Sequence, residues 1–299
     1  MLLGSWMNLV ITKRNNMSLA FFNGKYMPLD EVAISPFDRG FLFGDSIYEV
    51  IPVYGGKMLE GELHLQRLLN GLSAVGIKSP YSLLDWRELI SNIIIEAEAT
   101  QMIYIQVTRG VEESRNHRFP IKVAPSILIF ATPFTSTVDL SYPGCSAILQ
   151  TDKRWQNCHI KATSLLANVM AYRQLYLEGR PQDEALFIRN GCVVEAASSN
   201  LFMVKDKVIY TPPIDNILPG ITRHIILQIA KKLHYQVYEI APDPNTLEKA
   251  DEVWVSNSIE EIKPVIKIDD HCIGSGQPGE VWREFWLHYQ SKKWDEYEV

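Results

Sequence analysis

Short apolar runs broken by tight turns dominate this chain, and they limit its fold more than any other feature. Leu19 to Phe22 is apolar and is followed by Asn23-Gly24; Ala185 to Ile188 and the stretch Val193 to Val204 are separated by Asn190-Gly191. Asn-Gly supplies the positive φ angles that a tight hairpin needs. Ser46 to Tyr54 alternates as a strand does. Ile103 to Val107, Ser126 to Phe130, Ala147 to Gln150, Val208 to Tyr210, Glu252 to Val255 and Val265 to Ile268 also read as strands. Helical spacing is rarer. Leu65, Leu68, Leu69 and Leu72 give it to Glu62 to Val75, and Leu166, Val169, Met170 and Tyr176 form an apolar stripe on Ser164 to Glu178. Leu83 to Ala97, Thr222 to Leu233 and Glu280 to Tyr289 complete the helices, while Asp38 to Asp45 reads as a glycine-punctuated loop. Strands outnumber helices without βαβ alternation, which predicts α+β and not a doubly wound sheet.

The chain has 299 residues, enough for two medium domains. Thr132 to Leu140, with Pro133 and several hydroxyl residues, is the natural linker. The expected division is a small domain at 17–134, a linker at 135–139 and a large domain at 140–299. Residues 1–16 read as a flexible extension, because Lys13 and Arg14 follow the weakly apolar Leu2 to Met7 instead of preceding it as in a secretory signal. Met17 is an alternative start. The net charge of -6, with scattered basic residues, argues against nucleic-acid binding. No run is long and apolar enough for a membrane span. Four cysteines without a C-x-x-C pair, and no histidine cluster, point to reduced thiols in the cytoplasm and to no metal site.

Three segments carry chemistry. Lys161 lies in Arg154 to Leu166, where a strand end runs into a helix; Glu195 lies in Val194 to Asn200; and Gly220-Ile221-Thr222 opens a helix. An amine, a carboxylate and an anion-binding helix start are the groups that hold pyridoxal phosphate. Taken singly, each has a plainer reading: most lysines are solvated charges, and a hairpin glutamate ordinarily faces water.

Together with Asp38 to Val50, Ile103 to Gly110 and Leu218 to Arg223, these segments resemble the branched-chain-aminotransferase-like (fold type IV) pyridoxal-phosphate enzymes, most closely the D-amino-acid aminotransferases. The likeness spans 19–285, in the family's order. It implies a small α/β domain and a larger cofactor-binding domain with a barrel-like sheet core. It also implies that Lys161 binds the cofactor covalently and moves the substrate Cα proton. Glu195 faces the pyridine nitrogen, and Arg67, Ile221, Thr222 and Ser258 hold the phosphate. Tyr48, Arg115 and His117 match the carboxylate trap of the D-specific enzymes; the guanidinium fork suits a carboxylate. Arg115 and His117 would act in the neighbouring subunit's site, making a homodimer with shared sites. The implied reaction moves an amino group from a D-amino acid, D-alanine foremost, to 2-oxoglutarate, giving pyruvate and D-glutamate. An L-branched-chain aminotransferase, an aminodeoxychorismate lyase of the same fold and a non-catalytic relative are the alternatives. The chain departs from the pattern in a longer loop between Gly110 and Arg115, in His159 for an acidic residue, in Ser258 for threonine, and in Asn257 and Ile259 for small hydroxyl residues.

Overall fold

Alternating apolar residues in the first half build a six-stranded antiparallel sheet in the order β2-β1-β6-β5-β3-β4. The structure, a computed structural model, describes residues 19–95, 100–120 and 122–295. The expected extension at 1–16 lies outside them. This sheet comprises β1 (Leu19–Phe22), β2 (Lys25–Pro28), β3 (Ser46–Tyr54), β4 (Lys57–Met58), β5 (Thr100–Thr108) and β6 (Ser126–Pro133), with helices α1 (Arg39–Phe43), α2 (Gly61–Ala74) and α3 (Leu83–Ser91). Asn23-Gly24 turns β1 into β2. Ile47, Ile51, Ile103 and Ile105 meet Leu65, Leu68 and Leu72 of α2 in one core.

Two expectations change here. The Asp38 to Asp45 loop contains α1, because the Asp38 carboxylate accepts from Gly40 N at 2.8 Å and caps it. Gly44 ends α1 at φ 66, where a Cβ would also meet Ser164 Oγ at 2.9 Å. Helix α3 stops at Ser91 instead of running to Ala97, which lies outside the described residues. Beyond Ser91 the chain turns inward, and Gln101 Oε1 accepts from Ile95 N at 2.8 Å.

The second half forms a nine-stranded sheet. Its elements are β7 (Cys145–Thr151), α4 (Leu166–Leu177), β8 (Glu184–Arg189), β9 (Cys192–Ala196), β10 (Asn200–Lys205), β11 (Val208–Thr211), α5 (Ile221–Lys232), β12 (Val237–Glu239), α6 (Pro244–Glu248), β13 (Glu252–Asn257), β14 (Glu261–Ile268), β15 (His271–Cys272) and α7 (Glu280–Asp295). Strands β10-β13-β14-β7-β8-β9 run in sequence, and β9 pairs back onto β10, so six strands close into a barrel. The expected barrel-like core is therefore present, within an α+β fold. The expected single strand Val193 to Val204 is instead two strands, β9 and β10, and the barrel closes between them. Ala196 N donates to Ser199 O at 2.7 Å, so the chain turns sharply at 197–199.

Helices α5 and α7 cover the barrel through Ile225, Ile226, Trp282 and Phe285, packed around Trp254. Helix α4 behaves differently. It buries Ala171 and Leu175, while its apolar stripe points out: Leu166 is 74% and Tyr176 70% exposed. No described helix is long and apolar enough to cross a membrane.

Candidate active site

The alternation of β3 places neighbouring residues on opposite duties. Ile47, Ile51 and Val53 enter the first core, while Tyr48 and Val50 line a cavity of about 530 Å³ between the two sheets. The segment carrying Lys161 is zipped along the edge of β3. Tyr48 N donates to Lys161 O at 3.0 Å, Thr163 N to Ser46 O at 3.1 Å, and Ile47 bridges Ala162. Lys161 therefore cannot drift along the strand. Its Nζ lies 4.2 Å from the centre of the Tyr48 ring, inside the cavity.

Glu195 enters the cavity from β9, beside the barrel seam where it pairs with Asn200. Arg154 Nη1 donates to Glu195 Oε1 at 2.6 Å, and Leu218 N donates to Oε2 at 3.3 Å. Arg154 is itself held by Asp152, which accepts from its Nε at 3.0 Å and Nη2 at 2.9 Å and also from Arg189 Nη2 at 2.6 Å. Burial nonetheless dominates: it pushes the Glu195 carboxyl up to about 7 against the pull of Arg154. Such a carboxyl shares a proton readily near neutral pH.

The cavity's far end is built for an anion. Helix α5 begins at Gly220 with no side-chain cap, so its first N–H groups and dipole face the cavity that Ile221 and Thr222 line. A Cβ on Gly220 would meet Asn200 Oδ1 at 2.0 Å; glycine lets Asn200 Nδ2 reach Leu218 O at 2.9 Å. Arg67 Nη1 donates to Pro219 O at 2.9 Å, which puts the guanidinium beside the start of α5. Glu49 holds that guanidinium from below, with Nε–Oε2 at 2.9 Å and Nη2–Oε1 at 2.6 Å, and His64 Nδ1 lies 3.0 Å from the same carboxylate. Burial opposes the Glu49 charge, but Arg67 and His64 overcome it and keep the carboxyl well below its usual range. Burial lowers His64 from its ordinary value. Ser256 Oγ is buried without a hydrogen-bond partner on the cavity wall, a site for an incoming acceptor or donor.

Of the residues singled out in the sequence, Tyr48, Arg67, Lys161, Glu195, Ile221, Thr222 and Ser258 all line this cavity. Arg115 and His117 do not; they are exposed on the 110–120 loop, where the Arg115 guanidinium lies 5.3 Å from the Phe43 ring centre. His159 is exposed at the surface. Asn257 organises its own turn, accepting from Ile259 N at 2.8 Å and Glu260 N at 2.7 Å. Sequence reading passed over Arg154, Glu49, His64, Asn200 and Ser256. A signal existed for Glu49: a charged residue at an inward position of an alternating strand must find a buried partner.

The amino-transferase class IV family profile matches residues 46–268. The D-alanine aminotransferase of Staphylococcus aureus (strain N315) is 38% identical over 271 residues, covering 90% of this chain and 95% of that one. The D-alanine aminotransferase of Bacillus licheniformis is 35% identical over 260 residues, covering 86% and 91%. Among solved structures, the branched-chain aminotransferase from the thermophilic archaeon Thermoproteus uzoniensis with norvaline superposes with a TM-score of 0.82 at 24% identity, covering 94% of this chain and 96% of that chain; this likeness supports the fold. The cavity, its lysine and its carboxylate thus sit in a chain matched over most of its length, and the chain belongs to the amino-transferase class IV family.

Proposed function

We propose that this chain is a pyridoxal-phosphate-dependent transaminase that moves the amino group of a D-amino acid, D-alanine foremost, to 2-oxoglutarate, giving pyruvate and D-glutamate. The observation that carries this reading is the convergence of Lys161, Glu195, Arg67 and the uncapped start of α5 on one cavity. The D-alanine aminotransferases at 35% and 38% identity support the substrate class. The residues fit the cofactor: an amine at one point, a buried proton-sharing carboxyl at a second, and an anion-binding helix start with an orphan Ser256 hydroxyl nearby.

When bound, the cofactor supplies an aldehyde for amine exchange and a ring that accepts the electron pair left at the substrate Cα. Lys161 would hold it covalently. Its Nζ would also move the proton at the substrate Cα, taking it from the donor in one half-reaction and returning one to the product in the other. Glu195 would face the ring nitrogen and keep a proton there. Arg67, the N–H groups of Ile221 and Thr222, and the Ser258 hydroxyl hold the phosphate. Tyr48 and, from the neighbouring protomer, Arg115 and His117 hold the α-carboxylate, and the side on which they hold it decides which enantiomer turns its Cα–H to Lys161.

A homodimer follows from that sharing. Its support is the exposed loop outside its own cavity and the outward apolar face of α4. The two sheets, built from strands on either side of 135–139, support the domain division 17–134, 135–139 and 140–299, although Tyr54, Leu59 and Val138 pack into the second core and Ala162 into the first. The cysteines are free, which agrees with a cytoplasmic location.

The test is spectroscopic. Cofactor-loaded protein mixed with D-alanine, without a keto acid, loses its yellow absorbance, and L-alanine leaves it unchanged. Bleaching by the L-enantiomer alone would move the carboxylate trap elsewhere and favour an L-specific enzyme. Release of pyruvate without any acceptor would favour the lyase. Lys161→Ala is expected to abolish turnover; transamination retained in that variant would refute the assignment.

A further inference from the structure

The loop that presents Arg115 and His117 is gripped from underneath by a buried arginine. Arg39, 4% exposed at the start of α1, donates from Nη1 to Glu112 Oε2 at 2.5 Å and to Asn116 O at 2.6 Å. Its backbone N donates to Gly110 O at 2.9 Å. One residue therefore touches the loop at its start, at its third residue, and at the carbonyl lying between Arg115 and His117.

Arg39 is itself fixed. Its Nε donates to Asp45 Oδ2 at 2.9 Å, and Arg109, the residue before the loop, takes the same carboxylate with Nε at 2.7 Å and Nη2 at 2.8 Å. The Arg109 guanidinium lies 4.5 Å from the ring centre of Phe119, near the loop's far end. Arg39 and Arg115 both approach Phe43, at 4.9 and 5.3 Å from its ring centre. Asp45 directly precedes β3, the strand that carries Tyr48 and pairs with the Lys161 segment. The loop is thus referenced to the same strand end as the rest of the machinery, through two charge-assisted contacts that no surface loop needs for solubility.

We propose that Arg39 is a positioning residue for substrate carboxylate recognition: by holding Glu112 and the Asn116 carbonyl, it sets where Arg115 and His117 project. This rests on the proposed role of Arg115. A guanidinium fork recognises a carboxylate only within narrow geometry, so a loop released by about an ångström loses binding more than chemistry.

The experiment compares Arg39→Gln, Arg39→Lys and Arg115→Ala in the cofactor-loaded protein. Arg39→Gln is expected to raise KM for both the D-amino acid and the 2-oxo acid about tenfold, with kcat within about threefold of the parent. Its visible absorbance stays that of the parent, and amide hydrogen exchange across 111–119 speeds up at least about tenfold. Arg39→Lys keeps the charge but loses the fork, so it restores part of the binding. If Arg115→Ala raises KM while Arg39→Gln does not, Arg39 has no positioning role. If neither variant moves KM, the placement of Arg115 falls and this inference falls with it. Should Arg39→Gln fail to fold, Glu112→Gln loosens the loop without touching the Arg39–Asp45 pair; it is expected to raise KM about threefold, and an unchanged KM would overturn the proposal.

Discussion

Glu195 is where burial and pairing compete most openly. Its carboxyl lies up at about 7 against an ordinary 4.5, because desolvation outweighs Arg154. An acid raised on folding stabilises the fold fully below its ordinary value and loses that contribution as pH rises to its folded value. In cofactor-free protein, the stability of the parent relative to Glu195→Gln is therefore expected to fall between about pH 4.5 and about pH 7. Thermal unfolding across that range checks it, and parallel curves for the two proteins would sink it. Glu49 runs the other way: its charge is stabilised, and losing Arg67 would strand it, a cost of about 3–5 kcal/mol for a broken buried pair. That Lys161 and Glu195 would line one cavity was legible in the sequence because short local motifs surround them. Arg154 and Glu49 were not, because each acts through a partner 41 and 18 residues away, and one sequence does not say which charges meet.

The elements that position the cavity were legible wherever hydrophobic period and turn chemistry agreed, as in β3, α2 and the Asn23-Gly24 hairpin. They were misread where tertiary structure decides. The Val193 to Val204 run is apolar at both ends, and the bend at 197–199 that barrel closure requires is marked only by Ser198-Ser199-Asn200, without the glycine that marks the Asn-Gly hairpins. The stripe on α4 has helical spacing but faces away from the core, since the period gives a face and not its direction. The start of α5 depends on glycine for space, not for backbone freedom. Gly220→Ala would push Asn200 off Leu218 and shift the first N–H groups. Its expected effect is a cofactor affinity about tenfold weaker with the fold retained, read by titration of apoprotein. Unaltered affinity would show that the helix start has no part in phosphate binding.

At the scale of the whole molecule, the exposed Leu166 and Tyr176 on α4 offer an apolar face to the proposed homodimer. If α4 lies in the proposed dimer contact, Leu166→Glu with Tyr176→Glu is expected to raise the dissociation constant at least about tenfold, since it buries charge at an apolar contact. Both side chains are exposed in the protomer, so its helix content should survive. Sedimentation at falling concentration checks this, and an undisturbed dimer would place the interface elsewhere. The barrel adds a different consequence. Five of its six joints are ladders of several residue pairs, but β9 meets β10 at Glu195 and Asn200 alone. The molecule is a hoop whose buckle carries Glu195, the carboxyl proposed to face the cofactor. A small molecule gripping that buckle tightens the hoop, so occupancy and endurance become one equilibrium. A change at Glu195 would then act on the barrel's closure as well as on the proposed cofactor contact.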